Sequence, residues 1–329
     1  LALLSDILFL DIETTGFLTG SSSIYLIGCA YYEDGNWKLR QWFAQTPDEE
    51  SEILSAFLAF AEPYSYLIHY NGNTFDLPFL RKKADKYGIS YTLSSKKGLD
   101  IFRRITPYKN FLKLPDCKLK TIESFLGIHR EDIYTGGQLI QVYHDYTSSH
   151  DYDLYHTLIL HNADDMKGML ETLPILSYYD LFNCSIKASK AQTNYYNDMH
   201  GVPRKELIIR LIFVSPLPVA ISFMGKGCLK YYYANYKDYY YLPLEDTALH
   251  KSIASFVDKD YREQATARNC YTRKISLYLP QWKVMVEPFF KRDYDSKDLF
   301  FELTDDIKKD RQLFSDYASH VLNAIAFQD

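Results

Sequence analysis

Alternating apolar and polar runs in the first half of the chain predict a sheet with helices on its faces. Short runs of apolar, β-branched and aromatic residues predict four strands. The turn Glu33-Asp34-Gly35-Asn36 is typical of a hairpin between the second and third strands. The strands are predicted at Asp6–Leu10, Ile24–Tyr32, Trp37–Phe43 and Tyr66–Tyr70.

Helical periodicity appears between and after these strands. Acids in Pro47-Asp48-Glu49-Glu50 suit a first helical turn, because the helix dipole favours negative charge there. That helix is predicted to end near Glu62. Further helices are predicted over Leu77–Tyr87, Lys118–Leu126 and Tyr155–Leu176. Three antiparallel strands followed by alternating helices and strands predict an α/β fold with a mixed sheet flanked by helices.

The length of 329 residues favours two domains. A boundary between residues 176 and 190 fits the pattern, so we predict a first domain over residues 1–180. An α+β accessory domain of unknown role is predicted over residues 181–329. Its strands are predicted at Leu207–Phe213, Val219–Phe223 and Leu229–Tyr241, and its helices at Leu249–Arg268 and Asp305–Ala326.

Composition restricts the class of protein. The net charge of −5 argues against a protein that coats nucleic acid nonspecifically. The five cysteines are odd in number and lack metal-ligand spacing, which favours a reduced, cytoplasmic setting. No apolar run reaches the length of a membrane span, and no basic-then-apolar leader precedes the first strand. We therefore predict no membrane partner.

Two carboxylates close to the first strand are the first candidates for chemistry. Asp11 and Glu13 follow the apolar run Ile7–Leu10 and precede the turn Thr14–Gly16. Side chains two residues apart on a strand point to the same face, where an unpaired carboxylate is costly to bury. A divalent cation with oxygen ligands would satisfy both carboxylates.

Two later segments carry further candidates. Asp76 stands where a strand and a Gly turn give way to a helix, and by itself it suits a helix N-cap better than a metal ligand. His161 and Asp165 are four residues apart and share one helical face. Such a pair alone is more often a surface contact than a site. Asp100, inside an apolar run, is predicted to be structural.

Together these residues resemble the DEDD (DnaQ-like) exonucleases of the ribonuclease H-like superfamily. The matching motifs, in the family's order, are Asp11-x-Glu13, Asn71-x-x-x-Phe75-Asp76 and His161-x-x-x-Asp165. The segment Leu114–Arg130 is similar to the bacterial YprB-type branch. The resemblance covers roughly residues 5–180 and implies the ribonuclease H-like form of the mixed sheet.

The resemblance implies phosphodiester hydrolysis with two divalent cations, Mg²⁺ or Mn²⁺. The acids that would hold the cations are Asp11, Glu13, Asp76 and Asp165. His161 would accept the proton of the attacking water, although the family usually has Tyr four residues, or His five residues, before the last Asp. The residues implied to contact the nucleic acid are Thr14, Asn71 and Phe75.

A stretch rich in Lys and Arg over residues 81–120 directly follows the second motif. Beside a metal site, such residues would neutralise backbone phosphates without reading bases. A solvated charged face explains the same stretch equally well. The predicted phosphate contacts are Lys96, Lys97, Arg103 and Arg104.

The leading hypothesis is a metal-dependent 3′–5′ exonuclease that acts on single-stranded DNA or RNA. A structure-selective endonuclease on the same fold is one alternative, and circular substrates would distinguish it. A non-catalytic module that binds nucleic acid or protein is the other. The complete set of four acids favours an enzyme.

Overall fold

The computed structural model describes residues 3–17, 22–130, 134, 136–221, 230–234, 237–243, 245–251, 271–292 and 295–326. Its contacts divide the chain into two compact units. The first comprises residues 1–109 and 113–176, and the second comprises residues 110–112 and 177–329. The division falls close to the boundary predicted at residue 180.

A mixed sheet forms the centre of the first unit. Its strands are β1 (Ile7–Thr14), β2 (Ile24–Glu33), β3 (Asn36–Phe43), β4 (Tyr66–His69) and β5 (Lys97–Asp100). They lie in the order β3-β2-β1-β4-β5. β1, β2 and β3 pair antiparallel, whereas β4 pairs in parallel with β1 and β5. Three antiparallel strands followed by parallel strands confirm the predicted fold class.

Helices cover both faces of this sheet. They are α1 (Glu50–Ala61), α2 (Asp76–Tyr87), α3 (Ile101–Ile105), α4 (Leu119–Leu126), α5 (Gly136–Ser149) and α6 (Tyr152–Glu171). On one face, Phe57 of α1 and Phe79 of α2 pack in a core with Leu10 of β1. On the other face, Tyr143 of α5 and Leu158 of α6 pack with Tyr25 of β2.

The predicted elements of this unit are present with shifted ends. β1 continues four residues beyond its predicted end at Leu10, so Asp11 and Glu13 lie inside the strand. β5, α3 and α5 are absent from the predicted elements. β5 has only four residues, too few to show a period. α5 begins with Gly136-Gly137, which weakens its helical pattern.

Two antiparallel sheets and two helices follow in the described part of the second unit. A short helix, α7 (Leu176–Asn183), precedes them. The first sheet has the order β6-β7-β9-β8 and the second β10-β11-β13-β12. These elements are β6 (Lys187–Asn197), β7 (Pro203–Ile212), β8 (Lys230–Ala234), β9 (Lys237–Pro243), β10 (Glu245–Lys251), β11 (Tyr271–Gln281), β12 (Phe289–Phe290), β13 (Leu299–Glu302), α8 (Asp305–Lys309) and α9 (Arg311–Ala326).

Helix α9 connects the two sheets of the second unit. The hydroxyl of Ser315 accepts a 3.0 Å hydrogen bond from the backbone N–H of Ala188 on β6. The hydroxyl of Tyr317 donates a 2.6 Å hydrogen bond to the carbonyl of Pro280 on β11. Both hydroxyls lie on side chains that are largely buried, so these bonds fix the helix against both sheets.

Two elements of this unit that were each predicted to be continuous are divided in the structure, so these two predictions are wrong. In the described part of the single strand predicted over Leu229–Tyr241, residues 230–234 belong to β8 and residues 237–241 belong to β9, and the two strands pair antiparallel. The helix predicted over Asp305–Ala326 is interrupted at Asp310, whose backbone is extended.

Two further predictions fall partly on residues that are not described. Leu249–Lys251 belongs to strand β10, so the predicted helix from Leu249 is wrong at its start, and residues 252–268 lie outside the described residues. Residues 219–221 of the predicted strand Val219–Phe223 are irregular, and the last two lie outside the described residues.

The described cysteines carry free thiols. Cys29 and Cys117 are buried and Cys184 is exposed. The reduced, cytoplasmic setting inferred from the cysteines stays a prediction. Across the ranges that the structure describes, no helix combines the length and the apolar character that crossing a membrane requires.

Candidate metal and nucleic-acid site

Alternation along β1 directs its two acids to the face of the sheet that α6 covers. Leu10 and Ile12 belong to the core beneath α1 and α2. Asp11 and Glu13 point the other way, and α6 packs across β1, β2 and β3 on that side. The predicted common face of the two carboxylates is therefore the face where α6 carries His161.

The turn between β4 and α2 delivers Asp76 to the same end of β1. Asp76 is the first residue of α2, and Phe75 is the N-cap, so the N-cap interpretation of Asp76 is wrong. Instead, Oδ1 of Asp76 accepts a 3.1 Å hydrogen bond from the backbone N–H of Ile12. This bond ties the Asp76 carboxylate to the backbone of β1 at Ile12, the residue between Asp11 and Glu13 in sequence.

Asp100 organises this turn from the end of β5. Its Oδ1 accepts a 3.0 Å bond from the N–H of Asn71, and its Oδ2 accepts a 3.3 Å bond from the N–H of Asn73. The same carboxylate caps α3 by accepting from the N–H of Arg103 at 3.2 Å. The structural role predicted for Asp100 is thus visible in its contacts.

Helix α6 completes the group with two side chains one helical turn apart. Nε2 of His161 lies 3.6 Å from Oε1 of Glu13 and 3.7 Å from Oδ2 of Asp165. One potential ligand atom from each of these three residues lies within 4.8 Å of the others. We refer to Asp11, Glu13, Asp76, Asp165 and His161 together as the acidic cluster.

Asp11 is held by an amide that the sequence analysis did not single out. Nδ2 of Asn162 donates a 2.8 Å hydrogen bond to Oδ2 of Asp11, and Oδ1 of Asn162 accepts a 2.9 Å bond from Nε2 of Gln41. Gly28 makes room for this amide, because a Cβ there would lie 2.0 Å from Oδ1 of Asn162. In the sheet, Gly28 stands between Asp11 and Gln41.

Arg130 reaches Asp165 from the segment after α4. Its Nη1 forms an ion pair with Oδ1 of Asp165, and its Nε binds Oε2 of Glu123. Its Nη2 donates a 2.8 Å hydrogen bond to Oε1 of Glu123, which makes the contact with Glu123 bidentate. The acidic cluster therefore has a guanidinium at one side.

Burial and mutual repulsion raise the pKa values of two acids of the cluster. Burial, followed by the charges of Glu13, Asp165 and Asp76, raises the pKa of Asp11 well above its usual value. Burial, aided by the charges of Asp100 and Asp165, raises the pKa of Asp76 to about 7 despite two backbone hydrogen bonds that oppose the rise. Carboxylates in such surroundings ionise easily only beside positive charge.

The donor atoms fit hard divalent cations. Carboxylate oxygens are the ligands that Mg²⁺ and Mn²⁺ prefer. Glu13 and Asp165 bring carboxylate oxygens into the group with His161, and the ligand role predicted for all four acids, Asp11 and Asp76 included, stays a prediction. His161 lies within the same group, so its position is compatible with a ligand as well as with a base.

The three residues implied as nucleic-acid contacts beside the acids lie around the site. Thr14 is nearly buried, and its hydroxyl donates a 2.8 Å bond to the carbonyl of Gly16. Asn71 adopts a left-handed backbone with φ of 61°. Phe75 is half-buried and packs on Phe79. A contact of any of the three with nucleic acid stays a prediction.

The basic stretch is spread over different parts of the unit. Lys83 is buried in an ion pair of 2.9 Å with Glu50, so a solvent-facing role for Lys83 is wrong. Nζ of Lys96 donates to the carbonyls of Glu62 and Tyr64, at 3.1 and 2.5 Å. These bonds satisfy orphan carbonyls at and just after the end of α1.

The four predicted phosphate contacts therefore separate into two pairs. Lys96 and Lys97 stand at the amino end of β5, whereas the carboxyl end carries Asp100 and the turn that leads to Asp76. Arg103 is exposed on α3, just after that carboxyl end, and Arg104 is half-buried there. Arg103 and Arg104 therefore follow the carboxyl end of β5, which is the end of the strand that carries Asp100.

Two glycines in the sequence are weak indicators of the supporting residues that were not predicted, Asn162 and Arg130. A glycine inside an apolar strand, such as Gly28, often marks a close approach by another group. Gly168 stands seven residues after His161 on the same helical face, another position where a missing side chain leaves room. Neither glycine identifies its partner, so Asn162 and Arg130 needed the structure.

A family model described as the RNase_H superfamily matches residues 8–174, which is just over half of the chain. No curated protein matches the sequence. The similar solved structures include a family B DNA polymerase from the hyperthermophilic archaeon Pyrobaculum calidifontis. It is 16% identical with a TM-score of 0.42, and the alignment covers 53% of this chain and 26% of the polymerase.

Exonuclease I structures are also among the similar folds. A complex of exonuclease I with SSB-Ct is 11% identical with a TM-score of 0.36. Exonuclease I of E. coli in complex with a dT13 oligonucleotide is 12% identical with a TM-score of 0.31. Both alignments cover 64% of this chain and 55% of the exonuclease chain. The chain thus spans between a quarter and just over half of the lengths of these structures.

Proposed function

Because this chain belongs to the RNase H superfamily, we propose that it is a metal-dependent nuclease that hydrolyses phosphodiester bonds at the acidic cluster. The convergence of Glu13, His161 and Asp165 from two separate elements carries the proposal. The raised pKa values of Asp11 and Asp76 support it, since they reflect burial first and neighbouring acids second, and such carboxylates ionise more easily beside a cation.

At a finer level, we propose a 3′–5′ exonuclease of the DEDD type, similar to the YprB-type branch, with single-stranded DNA or RNA as substrate. The order of the motifs supports this assignment. The placement of all four acids and His161 in one unit, around the end of β1, is what a site of that type requires. The cofactors would be two Mg²⁺ or Mn²⁺ ions.

We assign the roles of the residues on the basis of their positions. Bound divalent cations would neutralise the phosphodiester charge and lower the pKa of water at the site. Asp11, Glu13, Asp76 and Asp165 would hold these cations. Asn162 orients Asp11, and the Ile12 N–H orients Asp76, each through one carboxylate oxygen. His161, which is buried beside Glu13 and Asp165, would accept the proton of the attacking water.

The proposal is tested with the purified chain and oligonucleotides labelled at the 5′ or 3′ end. Matched DNA and RNA strands are incubated with Mg²⁺ or Mn²⁺, and a circular strand serves as the endonuclease substrate. We expect shortening from the 3′ end, intact circles, and no activity after chelation of the metal. Asp11→Ala should lose the activity, whereas Glu171→Gln, an exposed acid on α6, should retain it.

Each contrary result has a defined meaning. Cleavage of circles would identify the endonuclease alternative. Absence of hydrolysis together with absence of Mn²⁺ binding in a calorimetric titration would identify the non-catalytic module. Equal activity in the wild type and in Asp11→Ala would overturn the assignment of the site.

A further inference from the structure

We infer that Arg130 binds a phosphate of the substrate beside the acidic cluster. The inference rests on the proposed nuclease function and adds a residue that none of the three motifs contains. Arg130 follows α4 in the chain, and its guanidinium is at the cluster because Nη1 forms an ion pair with Asp165.

A buried carboxylate fixes the orientation of this guanidinium. Glu123 is only 1% exposed, and it binds Nε and Nη2 of Arg130 as a bidentate pair. The planar fork of an arginine matches a carboxylate in this way on one edge and leaves the remaining nitrogen aimed in a set direction. Here that nitrogen is Nη1, and it is directed at the acidic cluster.

Helix α6 is shaped to admit the pair. A Cβ at Gly168 would lie 1.7 Å from Oε1 of Glu123 and 3.3 Å from Nη2 of Arg130. Gly168 comes three residues after Asp165, so the helix that supplies the acid also leaves space for the guanidinium. A larger residue at Gly168 would push Arg130 away from the site.

The balance of charges favours a role beyond neutralising Asp165. Glu123 cancels the formal charge of Arg130, so the pair adds no net positive charge to the cluster. The pair instead adds a charged hydrogen-bond donor, Nη1 of Arg130, whose direction is fixed by the contact with Glu123. Cations at the cluster would take over the negative charge of Asp165, and the phosphodiester that they attract would bring anionic oxygens to the same place. Arginine binds such oxygens with strong, charge-assisted hydrogen bonds.

The test measures binding of an oligothymidylate whose linkages are phosphorothioate, so that it resists hydrolysis. Fluorescence anisotropy is recorded over a series of salt concentrations for the wild type, Arg130→Gln and Arg130→Lys. Because Arg130→Gln leaves the buried Glu123 unpaired, the double variant Glu123→Gln/Arg130→Gln is included, in which both charges are removed together. Arg40→Gln is the matched control, since Arg40 stacks on Trp42 and Phe60 on the opposite face of the sheet.

We expect Arg130→Gln and the double variant to bind the oligonucleotide at least about tenfold more weakly. The slope of log affinity against log salt should become shallower by about 0.7, the value for one phosphate contact on a single strand. Arg130→Lys should fall between them and the wild type. Binding of Mn²⁺ without nucleic acid, measured by calorimetry, should be unchanged or tighter, because Asp165 loses a competing cation.

Three results would overturn the inference. Unchanged oligonucleotide affinity and salt slope, with a wild type that hydrolyses DNA or RNA, would make Arg130 a structural residue while the proposed function stands. Weaker Mn²⁺ binding in the variants would mean that Arg130 orients Asp165 for the metal instead. A wild type that neither binds nor hydrolyses oligonucleotides would overturn the proposed function, and this inference with it.

Discussion

The side-chain amide of Asn162 donates a 2.8 Å hydrogen bond to Oδ2 of Asp11 and is itself fully buried. Because Gln41 donates to its Oδ1, Asn162 is fixed with Nδ2 toward the carboxylate. Groups that orient metal ligands typically contribute 10- to 100-fold to metal affinity. We therefore expect Asn162→Ala to weaken Mn²⁺ binding by about 10- to 100-fold, measured by calorimetric titration.

Gly28 offers an independent test of the same relationship. The Cβ of Gly28→Ala would displace the amide of Asn162, so the loss of Mn²⁺ affinity should resemble that of Asn162→Ala. Gly137→Ala is the matched control, because a Cβ at Gly137 meets nothing within 4 Å. Normal Mn²⁺ affinity in folded Gly28→Ala and Asn162→Ala proteins would show that Asp11 needs no such support.

Asp76 should destabilise the metal-free protein. Burial first, and neighbouring acids with it, raises the pKa of Asp76 to about 7. An acid whose pKa is higher in the folded than in the unfolded protein lowers stability as pH rises from the unfolded value through the folded value, and the cost persists above it. Asp76→Asn keeps an oxygen for the Ile12 N–H but removes the charge.

We therefore expect Asp76→Asn to melt at a higher temperature than the wild type at pH about 8 in a chelator, by about 2–4 °C per kcal/mol of relieved repulsion. Added Mn²⁺ should raise the melting temperature of the wild type and leave that of the variant nearly unchanged. Differential scanning fluorimetry measures both. A variant that melts lower than the wild type in chelator would contradict the electrostatic argument.

The geometry around His161 is compatible with two roles, a general base and a metal ligand. Its Nε2 stands at nearly equal distances from Glu13 and Asp165. As the base, it should be needed for proton transfer, so His161→Ala should lower kcat by about 100-fold or more while Mn²⁺ affinity stays near normal. Parallel turnover assays and titrations decide the matter, because a fall in Mn²⁺ affinity of similar size would identify a ligand.

The sheet and the acids were predictable because their signals are local. The period of two in β1 places Asp11 and Glu13 on one face, and the spacing of four in α6 places His161 beside Asp165. Motif order then links these segments to Asp76. None of these inferences requires knowing which residues far apart in the chain are in contact. Each of them can therefore be made from one sequence.

The supporting contacts were not predictable for the opposite reason. Asn162 and Arg130 act through partners far away in sequence, at Asp11 and Gln41 for the first and at Asp165 for the second. Their residue types are ordinary for a helix and a loop. The prediction of a basic surface over residues 81–120 was inaccurate for the same reason. The positions of charged residues along the chain do not reveal that Lys83 is buried in an ion pair with Glu50.

Lys96 and Arg103 should respond differently to loss of charge. Lys96 binds the carbonyls of Glu62 and Tyr64, and burial lowers its pKa, so Lys96→Gln should lower the melting temperature and leave oligonucleotide binding intact. Arg103 is exposed near the acids, so Arg103→Gln should weaken oligonucleotide binding and make its salt dependence shallower. Anisotropy titrations and melting curves of both variants are compared. The reverse pattern would place the nucleic acid at the amino end of β5.

His69 should make the first unit sensitive to mild acid. It is fully buried, and its Nδ1 accepts a 3.1 Å bond from the N–H of Gly72. Burial lowers the pKa of His69, although the charge of Asp100 opposes the change. A base with a lowered pKa in the folded state keeps its full contribution to stability above its unfolded pKa of about 6.5 and loses it as pH falls below that value.

We expect the free energy of unfolding of the wild type to fall by up to about 1.4 kcal/mol for each pH unit below about 6.5 through this residue alone. His69→Gln should remove that part of the slope, whereas His156→Gln, at an exposed position of α6, should keep it. Urea unfolding of the three proteins between pH about 7.5 and about 5 measures the difference. Parallel pH profiles for wild type and His69→Gln would show that the imidazole has the same pKa in the folded and the unfolded protein, which would contradict the argument from burial.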